Sequence, residues 1–316
     1  MGRYTLIGMD GELRAIKRAV TLDIPVLAIG HTGCGKTTAI QHVANSMNKR
    51  LVRISLNGEM GIPELVGKWL VRDGATVWQD GIIVEAMRSG DWIVLDEINA
   101  ALPEVLFCLN SIMDDARALT ISEKDGELVQ AHEDFRVFAS MNPSGEYGGT
   151  KELNMALISR FGVVLEVDYQ PPQKELEIIK QTGLAEDMCK LVIDVGGILR
   201  KSYKQNITTH MVSTRDLINL ARLLKDGAPM IDALEWAIIN KINKEERVQA
   251  VERIKSGITL QINWRASADT VMKNLTEDLA LSVKDLQTKK SELEQKLLQL
   301  EANVQSVLGY LKPAVQ

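Results

Sequence analysis

Ile24-Pro25-Val26-Leu27-Ala28-Ile29-Gly30-His31-Thr32-Gly33-Cys34-Gly35-Lys36-Thr37 is the stretch that decides the fold. An apolar β-type run ends at Gly30, and Gly30 to Thr37 satisfy the phosphate-loop pattern G-x-x-x-x-G-K-[ST] at every fixed position. Glycines let the backbone curl until several N–H groups point at one spot. That nest, together with the positive end of the helix starting near Lys36, binds phosphate. Lys36 is placed to reach the β and γ phosphates, and Thr37 to set its hydroxyl on Mg²⁺. A buried-type strand before the turn and a helical run, Thr38 to Met47, after it supply the context the motif needs.

Downstream, Asp91-Trp92-Ile93-Val94-Leu95-Asp96-Glu97 reads as a fully buried strand with two carboxylates at its C-terminal end. Ligands of parallel α/β sheets sit at that end of the strands. Asp96 can hold Mg²⁺ through water there, and Glu97 can polarise an attacking water as general base. Acidic residues also favour helix N-termini, so a capped helix is the plainer reading of the same pair. Phe135 to Ser140 reads as another buried strand, ending in Met141-Asn142-Pro143. Asn142 can hydrogen-bond a γ-phosphate or the attacking water, or simply form a turn ahead of Pro143. Leu51–Leu56 and Val163–Val167 complete the set of core strands.

Upstream, Tyr4 to Gly8 are followed by a helical pattern of Leu13, Ile16 and Val20. Ile7 and Gly8 either line a base pocket or form a peripheral turn. Between the second and third core strands, Asp73-Gly74 separates Trp69–Val71 from Ala75–Trp78, a hairpin signal. A second hairpin is expected around Lys124-Asp125-Gly126-Glu127. Arg160 closes a short helix, Leu153 to Ser159, either as a cation on the helix dipole or as a finger offered to a neighbouring subunit's phosphate.

Pro171-Pro172 is the clearest boundary, and the pattern beyond it is helical. Ser213-Thr214-Arg215-Asp216 resembles a capping box, which puts Arg215 in a first helical turn where the dipole disfavours a cation. That points to another partner, such as phosphate. Asn240-Lys241-Ile242-Asn243 lacks the Asp of a guanine-reading motif and is discounted.

The 316 residues suit about two domains, and 45% apolar against 25% charged residues is ordinary for a globular protein with ample core. A net charge of −5 argues against a protein dominated by nucleic-acid backbone contacts. Cys34, Cys108 and Cys189 are too dispersed for a metal or disulfide framework and fit a reducing compartment. No signal segment opens the chain and no apolar run of about 18 residues occurs, so a soluble cytosolic protein without a membrane partner is expected.

In this order the motifs resemble those of the AAA+ ATPases, and within them the MoxR, CbbQ and dynein-related group, over roughly residues 4–260. GHTGCGKT is similar to Walker A, IVLDE to Walker B, SMNP (Asn142) to sensor 1, ISRF (Arg160) to the arginine finger and STRD (Arg215) to sensor 2. The two hairpins resemble that group's helix-two insert and pre-sensor hairpin. The resemblance implies an α/β fold with a five-stranded parallel P-loop core of order 5-1-4-3-2, a helical lid and a ring, usually a hexamer. It implies ATP and Mg²⁺, with Ile7, Gly8, Gly30, Thr32, Gly33, Cys34, Gly35, Lys36, Thr37 and Thr38 around the nucleotide and Thr37 and Asp96 at the metal. Lys36, Glu97, Asn142, Arg160 and Arg215 become the catalytic set. A client protein, often one carrying a von Willebrand factor A domain, is remodelled.

The expected division is a core at 1–170, a lid at 171–260 and a C-terminal coiled-coil helix at 261–316. That last segment departs from the short members of the group. A 4-3 spacing runs from Met272 to Leu311 with ten of twelve positions apolar, among them Leu279, Leu286, Leu293 and Leu300. Two other readings stay open: a nucleic-acid motor or GTP-using restriction translocase of the same group, and a coiled-coil scaffold whose assembly nucleotide controls.

Overall fold

The computed structural model describes residues 6–143, 152–258 and 287–296. Chain contacts divide the protein into two units, Met1–Arg253 and Ile254–Gln316. The first holds, in order, α1 (Asp10–Thr21), β1 (Val26–Ile29), α2 (Lys36–Ser46), β2 (Leu51–Ser55), α3 (Ile62–Leu65), β3 (Gly67–Arg72), β4 (Ala75–Asp80), α4 (Ile82–Ser89), β5 (Trp92–Asp96), α5 (Pro103–Met113), β6 (Ala118–Ile121), β7 (Glu127–Gln130), β8 (Arg136–Met141), α6 (Met155–Ile158), β9 (Val163–Glu166), α7 (Pro172–Lys180), α8 (Glu186–Lys204), α9 (Thr214–Lys225) and α10 (Met230–Ala237).

Five strands form a parallel sheet in the order β2-β5-β8-β1-β9. Counting core strands alone, this is the expected 5-1-4-3-2. Side chains alternate across a strand, so a sheet covered on both faces needs apolar residues at every position. β5 meets that demand: all five of its residues are buried. Its Trp92 and Val94 join Val26, Ala28 and Phe138 under Ile16, Val20, Ile40 and Val43 of α1 and α2. Its Ile93 and Leu95 join Leu27, Val137 and Ala139 under Ile83, Met87, Val105 and Leu109 of α4 and α5.

Both hairpins form. β3 pairs antiparallel with β4 in the register Trp69↔Trp78, and Asp73 (φ 50°) and Gly74 (φ 78°) both take the left-handed backbone that a two-residue hairpin turn requires. β6 pairs with β7, with Asp125 and Gly126 left-handed at the tip. The hairpins are tied to each other. Trp69 Nε1 donates to the Glu123 carbonyl at 2.9 Å, and Arg88 bridges Asp80 at 2.9 Å and Glu127 at 2.6 Å.

The described residues beyond Pro171 are helical, as expected, with Pro172 in the first turn of α7 where a missing N–H is harmless. The capping box at α9 is complete: Ser213 and Asp216 bond each other's backbone N–H. Of the expected long C-terminal helix, 287–296 are helical and exposed, and Lys290 and Glu294 pair at 3.9 Å. The rest of the heptad seam lies outside the described residues, so a long coiled coil is not shown.

Candidate functional site

The register of the sheet brings the motifs to one edge. The phosphate loop leaves β1 after Ile29, which pairs with Met141, the residue before Asn142. Asp96 is the last residue of β5 and pairs with Ser55 of β2. All lie at the carboxyl ends of parallel strands, where a loop-to-helix turn opens a crevice.

The loop has the backbone of an anion nest. Gly33 (φ 74°) and Gly35 (φ 106°) are both left-handed, and Gly35 is the N-cap of α2. Side chains are also barred sterically at Gly30 and Gly33. A Cβ on Gly30 would fall 2.0 Å from the Val167 carbonyl oxygen, and one on Gly33 would fall 2.8 Å from Ser213 Cβ.

Lys36, the first residue of α2, is buried and folds back over the loop. Its Nζ donates to the carbonyls of Gly30 at 2.6 Å and His31 at 2.9 Å, and to Asn142 Oδ1 at 3.2 Å. Burial lowers its pKa from the usual lysine value. The nearby Cys34, Asp96 and Glu97 oppose the shift, and the charge of Arg215 adds to it. Burial likewise raises the Cys34 thiol. Thr32 Oγ1 donates to Asn142 Oδ1 at 3.4 Å, and Asn99 Nδ2 donates to the Asn142 carbonyl at 3.3 Å.

Asp96 Oδ1 accepts from Thr37 Oγ1 and from Ser140 Oγ, each at 2.7 Å, while Oδ2 is paired with Arg53. A hydroxyl bonded to a carboxylate beside a phosphate nest offers hard oxygen ligands, the kind Mg²⁺ takes together with phosphate oxygens and water. The residues therefore fit a phosphate group with a bound Mg²⁺. Glu97 is exposed in left-handed backbone (φ 60°), uncommon for a residue with a side chain and a form of strain that gathers at active sites.

Arg215 projects from the first turn of α9 next to the loop; a Cβ on Gly33 would stand 3.4 Å from its own Cβ. Met9 also lies next to the loop, and Gly8 (φ 82°) precedes it. A Cβ on Gly35 would meet Met9 Sδ at 3.2 Å, and one on Gly8 would meet the Gln170 side chain. Ile7 precedes them, half-buried.

Arg160 is not brought into this group. It precedes β9, whose Val163 pairs with Val26 at the start of β1, so it sits at the opposite edge of the sheet, at least ~10 Å of strand from the loop. There it forms an ion pair with Asp114 of its own chain.

The sequence reading missed Arg53, Ser140 and Asn99. Ser140 carried a signal, since it is a polar residue at the C-terminal end of a buried strand, just before Met141-Asn142. Arg53 and Asn99 carried none, as lone polar residues are ordinary beside strand ends. Asn240–Asn243 has no part in the site, because Lys241 is spent on Asp216.

Comparison with known proteins agrees with this geometry. The family described as AAA domain (dynein-related subfamily) matches residues 25–161, and CbbQ/NirQ/NorQ C-terminal matches residues 175–259. The protein NorQ of Paracoccus denitrificans is 32% identical, over 75% of this chain and 87% of its own length. The denitrification regulatory protein NirQ of Pseudomonas aeruginosa is 32% identical, over 74% of this chain and 89% of its own. The aerobic cobaltochelatase subunit CobS of a Sinorhizobium species is 27% identical, over 75% of this chain and 76% of its own. With an AAA core, that C-terminal domain and this degree of identity to NorQ, the chain belongs to the CbbQ/NirQ/NorQ group of MoxR-type AAA+ ATPases.

Proposed function

We propose that the protein hydrolyses ATP between the subunits of a homo-oligomeric ring, usually six in this group, and uses the cycle to remodel a partner protein in the cytosol. The observation that carries this is the split of charged groups between the two edges of the sheet. Lys36, Thr37, Asp96, Glu97 and Asn142 gather at one edge with Arg215 of the lid, while Arg160 stands at the other. A cation at the far edge is of no use to its own nucleotide but can serve that of a neighbour.

In this reading the nest of Gly30–Thr37 and Lys36 hold the triphosphate, with Ile7, Gly8 and Thr38 along its flanks. Thr37 and Asp96 would hold Mg²⁺, which spreads the negative charge of the phosphates. Glu97 takes a proton from the attacking water and Asn142 aims it. Arg160 of the next subunit and Arg215 stabilise charge that grows on the transferring group. The core spans 1–170, the lid 171–260 and a partner-binding or self-associating tail 261–316. Two names among the relatives, a regulatory protein and a subunit of a cobaltochelatase, support a partner that is itself a protein. A von Willebrand factor A domain is the partner type the resemblance favours.

Steady-state phosphate release with ATP and with GTP, each with and without DNA, tests the reading. ATP turnover indifferent to DNA is expected. Preference for GTP, or stimulation by DNA, would transfer the protein to the motor or translocase reading.

A further inference from the structure

Tyr169 lies in the link between β9 and α7, and its hydroxyl donates to the carbonyl of Thr32 inside the phosphate loop at 3.0 Å. A trans peptide is planar and points its C=O and N–H in opposite directions. Fixing the Thr32 carbonyl therefore fixes the Gly33 N–H, one of the donors in the nest.

The Tyr169 ring is itself held. The Arg200 guanidinium of α8 lies over it, 4.1 Å from its centroid, and the His31 ring is near-parallel to it at 6.0 Å. Arg200 is held in turn by two 2.7 Å bonds to Glu175 of α7 and one of 2.8 Å to the Val212 carbonyl. Glu175 is 1% exposed and also accepts from Thr214 Oγ1 at 2.6 Å. Thr214 is the residue before Arg215. One buried carboxylate thus sets both the arginine that stacks on Tyr169 and the helix turn that carries Arg215.

We infer that Tyr169 and Arg200 are positioning residues that latch the helical lid to the phosphate loop, so that a nest donor and Arg215 are set together. The inference rests on the reading of residues 30–37 as a nucleotide site. The Tyr169 hydroxyl reaches the loop alone, while the turn that carries Arg215 is held through Glu175 and Thr214, so losing that hydroxyl acts on how well nucleotide is held more than on the chemical step.

Binding of fluorescent methylanthraniloyl-ADP with Mg²⁺ to the full chain tests it, alongside kcat and KM for ATP. Tyr169→Phe keeps the ring and its stacking and removes the hydroxyl alone. It should bind about 3- to 10-fold more weakly, the scale of one lost hydrogen bond, with kcat within about twofold and KM raised in step. Arg200→Met should weaken binding further, and the double variant should be no worse than Arg200→Met alone, because without Arg200 the hydroxyl is no longer held on Thr32. Unchanged binding by Tyr169→Phe overturns the latch by itself, even if Arg200→Met fails to fold. So does a double variant whose losses simply multiply. Wild-type protein that binds no nucleotide overturns the site reading along with the latch, whereas wild type that binds while Tyr169→Phe binds equally well overturns the latch alone.

Discussion

Thr37 donates its hydroxyl to Asp96 at 2.7 Å, joining the start of α2 to the end of β5 across 59 positions of sequence. Ser140 donates to the same oxygen, and Arg53 pairs with the other. The carboxylate therefore accepts from two hydroxyls on one oxygen and from a guanidinium on the other.

Asp96→Asn should therefore uncouple nucleotide binding from Mg²⁺. The amide keeps the shape, but it brings N–H groups to oxygen-seeking neighbours and carries no charge. The expected outcome is nucleotide affinity nearly the same with Mg²⁺ and with EDTA, measured by fluorescence titration. Wild type should bind at least ~10-fold more tightly with the metal, about 1.4 kcal/mol.

Glu97→Gln should bind ATP and turn over at least ~100-fold more slowly, the scale of losing a general base. Lys36→Ala should lose ATP binding instead, because its ammonium sits at the centre of the loop on Gly30, His31 and Asn142. Near-normal turnover in the Glu97→Gln protein would remove Glu97 from the base role. The same variant, held in the ATP state, is the bait for pulling down the partner.

Arg160→Ala should keep ATP binding and lose turnover. Mixed with an excess of Lys36→Ala protein it should regain some activity, since each variant lacks a different half of a shared site. If Arg160 serves only its own Asp114, mixing gains nothing.

Acid stability should depend on Asp216. Burial alone would raise its carboxyl, but His210, 3.6 Å away, and hydrogen bonds from Lys241 and Ser213 outweigh burial and hold it well below the usual carboxylate range. A depressed carboxylate stabilises the fold above its unfolded pKa, about 4, and loses that contribution as pH falls toward the folded value. Asp216→Asn should cost about 3 kcal/mol at pH 7, the scale of breaking a buried pair. Its gap from wild type should narrow by roughly 1 kcal/mol per unit below about pH 4. Urea midpoints at pH 7, 5 and 3 measure this; a gap constant over that range would show that the charge of Asp216 is not what matters.

Much of the core was legible because its signals are local. Asp73-Gly74 predicted a two-residue hairpin turn, and both residues take positive φ. The run Trp92–Leu95 predicted a strand buried on both faces, and it is. The capping box at Ser213 predicted a helix start, and the reciprocal bonds are present. Arg160 stayed open between two roles, because a residue at the end of a short helix does not reveal which edge of the sheet it will stand on. The pairing of Trp69 with the Glu123 carbonyl was illegible too, since it joins a strand of one hairpin to the turn of another.

By itself the sequence determined where the chain turns, which residues make strands and which loop can receive phosphate. Those properties depend on backbone torsion and on alternation over a few neighbouring residues. Only the tertiary structure decided which distant groups meet: Arg53 with Asp96, Tyr169 with the Thr32 carbonyl, Arg200 with Glu175 and Arg160 with Asp114. Parallel strand order and the packing of helices on each other bring those residues together, and no local pattern carries that information.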